Sequence, residues 1–177
     1  KRRTIVISES KIKNAKIIHD VIFDRIELGT YMIAGVLIAK NKIKINKVDP
    51  KIVKTEISTL KKIGIQITKK KNSIVIKRNK KLKNINLATS PYPGFPTDLQ
   101  AQLMVLLTQV DGVSKIKEDI FENRFMHVPE LKRMGASIEI KDKSAIIKGP
   151  TKLTGAEVMA TDLRASVSLV LAGLVAE

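Results

Sequence analysis

Leu60-Lys61-Lys62-Ile63-Gly64 returns as Leu131-Lys132-Arg133-Met134-Gly135, 71 residues further along the chain. Ser73-Ile74-Val75-Ile76-Lys77 returns at the same offset as Ser144-Ala145-Ile146-Ile147-Lys148. Each unit therefore reads as a helix ended by glycine, followed by a strand hairpin, and the chain is built from repeats. Three acidic starts extend the pattern: Asp24-Arg25-Ile26-Glu27, Thr97-Asp98-Leu99-Gln100 and Thr161-Asp162-Leu163-Arg164 each open an apolar helical run.

Working outward, a unit reads strand, helix, strand, helix, strand, strand. In the first, a strand near Ile17–Ile22 precedes a helix from Arg25 to about Lys40, and Lys42–Asn46 alternates as a strand. A second helix starts at Pro50, with Val53, Ile57 and Leu60 on one face, and Gly64 ends it. Ile65–Thr68 and Ser73–Lys77 form a hairpin around a Lys-Lys-Asn turn. The second unit repeats this with strand Ile85–Ala88, helix Asp98–Val110, strand Val113–Lys117, a helix near Val128–Met134, and hairpin Ser137–Ile140 with Ala145–Lys148. The third supplies a strand near Val158 and a helix from Asp162. The units fall at about 17–83, 84–149 and 150–177, after a basic segment 1–16 that matches none of them. Two units and an opening third predict one truncated domain whose natural chain continues past Glu177.

The first helix of each unit is apolar nearly all round, as in Tyr31–Ile38, Leu103–Leu107 and Val167–Leu174, and such helices are expected to be buried on every side. Small residues at Gly29, Ala34, Gly35, Ala101, Ala165, Ala172 and Gly173 allow close packing. The predicted fold class is α/β: an inside-out barrel of βαβαββ repeats, with parallel helices inside and sheets outside.

Composition narrows function. At 44% apolar, 177 residues suffice for one packed core, and the absence of cysteine removes disulfides, thiolate metal sites and a cysteine nucleophile. The apolar run after Lys1-Arg2-Arg3 stops at Ser8, too short for a secretory signal, and no apolar stretch reaches the 18 residues of a membrane span. A soluble cytoplasmic protein follows. The net charge of +16 admits a basic RNA-binding module, but only 3% of residues are aromatic and none interleave with the lysines as a stacking platform. The excess lysine travels with isoleucine and asparagine, which biased coding produces without a nucleic-acid partner. His19 and His127 stand far apart, and structural roles suit them better than a metal site, so no metal or cofactor is expected.

Parallel inner helices would gather their N-termini, each rich in free N–H groups, on one face that favours anions. Asp24, Asp98 and Asp162 lie there with Arg25 and Arg164. Capping accounts for any one aspartate. Gathered acids and arginines suit a general base beside phosphate- or carboxylate-holding groups. The segment Ser90-Pro91-Tyr92-Pro93-Gly94-Phe95-Pro96-Thr97-Asp98 is stiff, and reads either as a rigid turn or as a preorganised mount for Asp98.

That segment, continued through Leu99-Gln100-Ala101-Gln102, resembles the signature of UDP-N-acetylglucosamine enolpyruvyl transferases. So do Phe121-Glu122-Asn123-Arg124-Phe125-Met126-His127-Val128-Pro129-Glu130-Leu131, Gly155–Ser166 and Asp24–Thr30, in family order from about residue 19 onward. The resemblance implies two domains of three βαβαββ units each, closing over a cleft. It implies transfer of the enolpyruvyl group of phosphoenolpyruvate to the 3′-hydroxyl of UDP-N-acetylglucosamine through a tetrahedral ketal, with release of phosphate. Asp98 is then the candidate base at the sugar hydroxyl, and the Ile120 backbone holds the UDP-sugar. Arg124, Arg164 and Asp162 line the cleft, and Asp24 and Arg25 lie at the interdomain edge. The family's proton-donating Cys and its Lys and Arg partners fall in the other domain, a later Arg falls beyond Glu177, and Phe23 stands where the family has Pro. The piece alone is expected to be inactive, and the full-length protein a monomer working with its second domain. An EPSP synthase-like transferase acting on shikimate phosphate is the alternative enzyme.

Overall fold

The computed structural model describes residues 4–9, 16–39, 41–79, 81–160 and 162–177. Most of the basic segment 1–16, Lys40 at the expected end of the first helix, Thr161, and the Ala165 side chain lie outside the described residues.

Among the described residues, five helices and seven strands follow in the order α1 (Arg25–Ile38), β1 (Lys42–Asn46), α2 (Lys54–Lys62), β2 (Gln66–Lys70), β3 (Ser73–Lys77), β4 (Asn86–Ala88), α3 (Gln100–Thr108), β5 (Gly112–Lys117), α4 (Val128–Arg133), β6 (Ser137–Lys141), β7 (Ser144–Gly149) and α5 (Leu163–Gly173). A 3₁₀ turn, Thr97–Leu99, leads into α3. One sheet has the order β1-β3-β2, all antiparallel, and the other β4-β5-β7-β6, with β4 parallel to β5.

The repeat holds at the level of single hydrogen bonds. Gly64 and Gly135 adopt φ of 101° and 97°, a left-handed conformation that glycine takes without strain. Behind them Ile65 N donates to Leu60 O at 3.1 Å, and Ala136 N to Leu131 O at 2.9 Å. The chain then recrosses its second helix in both units, with Lys83 N on Ile63 O and Thr154 N on Met134 O, each at 2.8 Å. α2 buries Val53, Ile57 and Leu60, as its periodicity predicts. Its α-helical turns begin at Lys54 rather than at Pro50, which sits in the preceding turn.

Two predicted strands do not form. Ile17, Ile18, Val21 and Ile22 are unpaired and between 71% and 88% exposed, and no strand pairs with the outer edge of β1 among the described residues. In the second unit a two-residue clasp holds β4 against β5. Asn84 Nδ2 donates to Val113 O at 2.6 Å, and Ser114 Oγ accepts from Ile85 N at 3.2 Å. β1 carries Ile43 where β5 carries Ser114, so half of that clasp is missing. Near Val158 the chain is likewise irregular; Met159 N donates to Glu130 Oε2 at 3.1 Å, and no strand lies alongside among the described residues.

All nine residues of α3 are buried, and it packs against both α1 and α5. Gly29 of α1 sits against Leu99, and Gln102 Nε2 donates to Thr30 Oγ1 at 3.2 Å; these contacts ascend together, so α1 and α3 run parallel. Burial on every side, expected of all three such helices, holds for α3 alone. Tyr31 on α1, and Leu163, Val170 and Leu174 near and on α5, are more than half exposed, because the partners of each flanking helix, α3 and β3 for α1 and α3 and α4 for α5, leave part of its face uncovered among the described residues. Leu106, fully buried in the middle helix, is expected to cost about 2–5 kcal/mol when replaced by alanine, measured by urea unfolding.

Candidate active site

Each inner helix starts beside an aspartate, but the three aspartates are used differently. Asp24 caps α1, accepting from Ile26 N at 2.6 Å and Glu27 N at 3.3 Å. Asp162 caps α5, accepting from Arg164 N at 2.8 Å. Asp98 makes no capping bond. Its carboxylate instead faces two guanidinium groups. Arg124 NH2 lies 2.7 Å from Oδ1, Arg164 Nε lies 2.7 Å from the same oxygen, and Arg164 NH2 lies 3.1 Å from Oδ2. Arg124 also stacks over the Phe121 ring, 5.0 Å from its centroid. The half-buried cluster thus holds two fixed cations on one carboxylate, an arrangement an incoming anion can open by taking the arginines for itself.

Arg25 goes elsewhere. Its Nε and NH2 lie 3.0 and 2.6 Å from Glu56 Oε1, NH2 donates to Gly94 O at 3.2 Å, and the guanidinium sits 4.8 Å from the Tyr92 ring centroid. Thr55 Oγ1 donates to Pro93 O. These contacts fasten the proline-rich loop to α1 and α2. Within the loop, Ser90 N donates to Phe95 O at 3.0 Å and Gly94 N to Pro91 O at 2.8 Å; a side chain at Gly94 would meet Ser90 Oγ at 1.7 Å. Of the sequence-derived residues, Asp98, Arg124 and Arg164 are in direct contact and Asp162 joins them through α5. Asp24 and Arg25 have separate structural partners.

Glu118 was not singled out by the sequence, yet it organises the region. It is 2% exposed; Oε1 accepts from Thr89 Oγ1 at 2.8 Å, Ile120 N at 3.0 Å and Phe121 N at 3.3 Å, and Oε2 accepts from Thr97 Oγ1 at 2.9 Å. One carboxylate therefore ties the loop after β5, which carries Ile120 and Arg124, to the turn that carries Asp98. Strand parity carried the signal: Ser114, Ile116 and Glu118 are all inward. Glu56 is similar, an acid on the buried face that Val53, Ile57 and Leu60 define.

His127 lies beneath the cluster, 2% exposed, with Nε2 unpartnered among the described residues. Burial pushes its pKa from 6.5 down to about 4; the charge of Asp162 opposes this and that of Arg124 adds to it. Between these values the unfolded chain binds a proton that the folded chain does not. Stability is then full above about pH 6.5 and falls as pH drops towards 4, by about 3 kcal/mol in all. Urea titrations of the parent and His127→Gln across this window are expected to differ in slope, the variant being the flatter. Among the described residues no acid, histidine or cysteine cluster could hold a metal ion, and no helix is long and apolar enough to cross a membrane.

Fold and cluster together define an α/β repeat domain that gathers two arginines on one carboxylate. A family model described as EPSP synthase (3-phosphoshikimate 1-carboxyvinyltransferase) matches residues 1–177, and the chain belongs to that family. It is 62% identical over 159 residues to the UDP-N-acetylglucosamine 1-carboxyvinyltransferase of Pelagibacter ubique, and 57% identical over 159 residues to that of Halothermothrix orenii. Each alignment covers 90% of this chain and 38% of the relative, so the chain spans about two fifths of the length of these relatives. Among solved structures, the enolpyruvyl transferase NikO from Streptomyces tendae superposes with a TM-score of 0.81 at 28% identity, over 88% of this chain and 37% of that one. EPSP synthase from Acinetobacter baumannii shares the fold, with a TM-score of 0.63 at 18% identity over 85% of this chain and 37% of that one.

Proposed function

We propose that this chain is one domain of a transferase that moves the enolpyruvyl group of phosphoenolpyruvate to the 3′-hydroxyl of UDP-N-acetylglucosamine, the first committed step of peptidoglycan synthesis. The observation that carries the proposal is the meeting of Asp98 with Arg124 and Arg164, from three stretches far apart in the sequence that each resemble a family signature. Asp98 takes the proton of the sugar hydroxyl as its oxygen bonds to C2 of phosphoenolpyruvate and C3 takes a proton from the donor, giving the tetrahedral ketal; loss of phosphate from C2 together with a proton from C3 then gives the enol ether. Arg124 and Arg164 exchange Asp98 for the substrates' anionic groups, freeing its lone pairs for that proton. Ile120, its N–H already committed to Glu118, offers its carbonyl to the UDP-sugar. Asp162 fixes the start of α5 and so aims Arg164, while Asp24 and Arg25 hold α1 and the loop at the edge facing the second domain.

In this reading units 17–83, 84–149 and 150–177 belong to an inside-out barrel with α1, α3 and α5 within. The proton donor comes from the remainder of a cytoplasmic, monomeric enzyme that needs no metal or cofactor. The test uses the longer protein containing this chain, given phosphoenolpyruvate with either UDP-N-acetylglucosamine or shikimate 3-phosphate. Phosphate release with the UDP-sugar alone is expected; release only with shikimate 3-phosphate would move the chain to the alternative enzyme.

A further inference from the structure

The internal repeat extends to the molecule's crevices. In the second unit a cavity of about 300 Å³ lies between the loop after β5 and the β6–β7 turn, bounded by Phe121, Glu122 and Arg124 on one side and by Ile140, Asp142 and Lys143 on the other. Shifted back by the repeat, the same walls frame a cavity of about 450 Å³ in the first unit, between the lead-in to α2 and the β2–β3 turn. The charges differ sharply. The second-unit crevice mixes Arg124 and Lys143 with Glu118, Glu122 and Asp142, whereas Lys51, Lys54, Lys69, Lys70 and Lys71 line the first against a single acid, Asp49. That acid is engaged, since its Oδ1 accepts from Lys51 N at 2.9 Å. The nine-residue α2 also starts here with no side chain capping its first turn, so helix N–H groups add to the positive field.

We propose that this first-unit crevice is a second anion site, distinct from the Asp98 cluster, that binds a di- or polyphosphate group. Five ammonium groups without an arginine favour a multivalent, roughly spherical anion over a planar carboxylate, which guanidinium forks would hold better. The crevice stands on its own walls and charges, whichever acceptor sugar the second unit takes.

Calorimetric titration of the longer protein containing this chain with pyrophosphate, at one fixed ionic strength, tests the site. Lys51→Ala/Lys69→Ala/Lys71→Ala removes three exposed crevice lysines, and Lys77→Ala/Lys83→Ala/Lys148→Ala removes three exposed lysines elsewhere. The crevice triple is expected to weaken pyrophosphate binding by about tenfold or more, and the control triple by less than about twofold. Unaltered thermal melts would show that the variants are folded. A matching loss for UDP identifies a nucleotide as the phosphate source, and an unchanged UDP affinity confines the site to free polyphosphate. Equal weakening in both lysine triples, or no pyrophosphate binding by the parent protein, would each overturn the proposal.

Discussion

Asp98→Asn, introduced into the longer enzyme, is expected to lower kcat by roughly 10²–10⁴-fold, the range that loss of a general base produces. The amide nearly matches the carboxylate in shape, so the turn Thr97–Leu99 and α3 should persist, with Arg124 and Arg164 still beside it. On the proposed reading, what disappears is the acceptor for the sugar proton, together with the negative charge that pairs with the two arginines. KM for the UDP-sugar should therefore change far less than kcat, because freed guanidinium groups still attract phosphate. A rise in KM at unchanged kcat, measured by phosphate release at saturating phosphoenolpyruvate, would assign Asp98 to binding and remove it as the base.

Glu118→Ala should be the most damaging single change to the fold near the site, costing about 3–5 kcal/mol in urea unfolding. It leaves the N–H groups of Ile120 and Phe121 and the hydroxyls of Thr89 and Thr97 without their shared acceptor in a buried place. Glu118→Gln keeps one acceptor oxygen but turns a donor toward groups that already donate, so an intermediate loss is expected. The Gln variant also separates stability from chemistry. If Glu118 joins the two loops as the geometry indicates, the folded Gln enzyme should bind the UDP-sugar more weakly, since Ile120 and Arg124 lose their register with Asp98.

Much of this was legible in the sequence because repetition is a local property. Glycine at Gly64 and Gly135, and the apolar faces before them, fix helix ends without reference to distant partners. Pairing is not local. The stretch Ile17–Ile22 is rich in β-branched residues, yet whether it joins β1 depends on partners that its own composition does not reveal. Nor does an apolar run say what will cover it, which is why α1, α3 and α5 read alike while only α3 is enclosed. In the site, the shared starts of Asp98 and Arg164 came from the repeat, but Arg124 came only from a family likeness, since nothing in its spacing points at Asp98. Glu118 and Glu56 were readable in principle, as acids at inward positions of a strand and a helix. Both were passed over because charge at a surface-rich composition draws no notice.

The side of β1 left unpaired among the described residues has a bearing on how the chain behaves in crowded solution. A bare row of strand amides and carbonyls invites a neighbour to lengthen the sheet, and such growth is how soluble proteins clump. Here Lys42 and Lys44 project from that strand into water, so two copies meeting edge to edge would bring like charges together. The abundance of lysine thus doubles as a guard rail, one that added salt would lower.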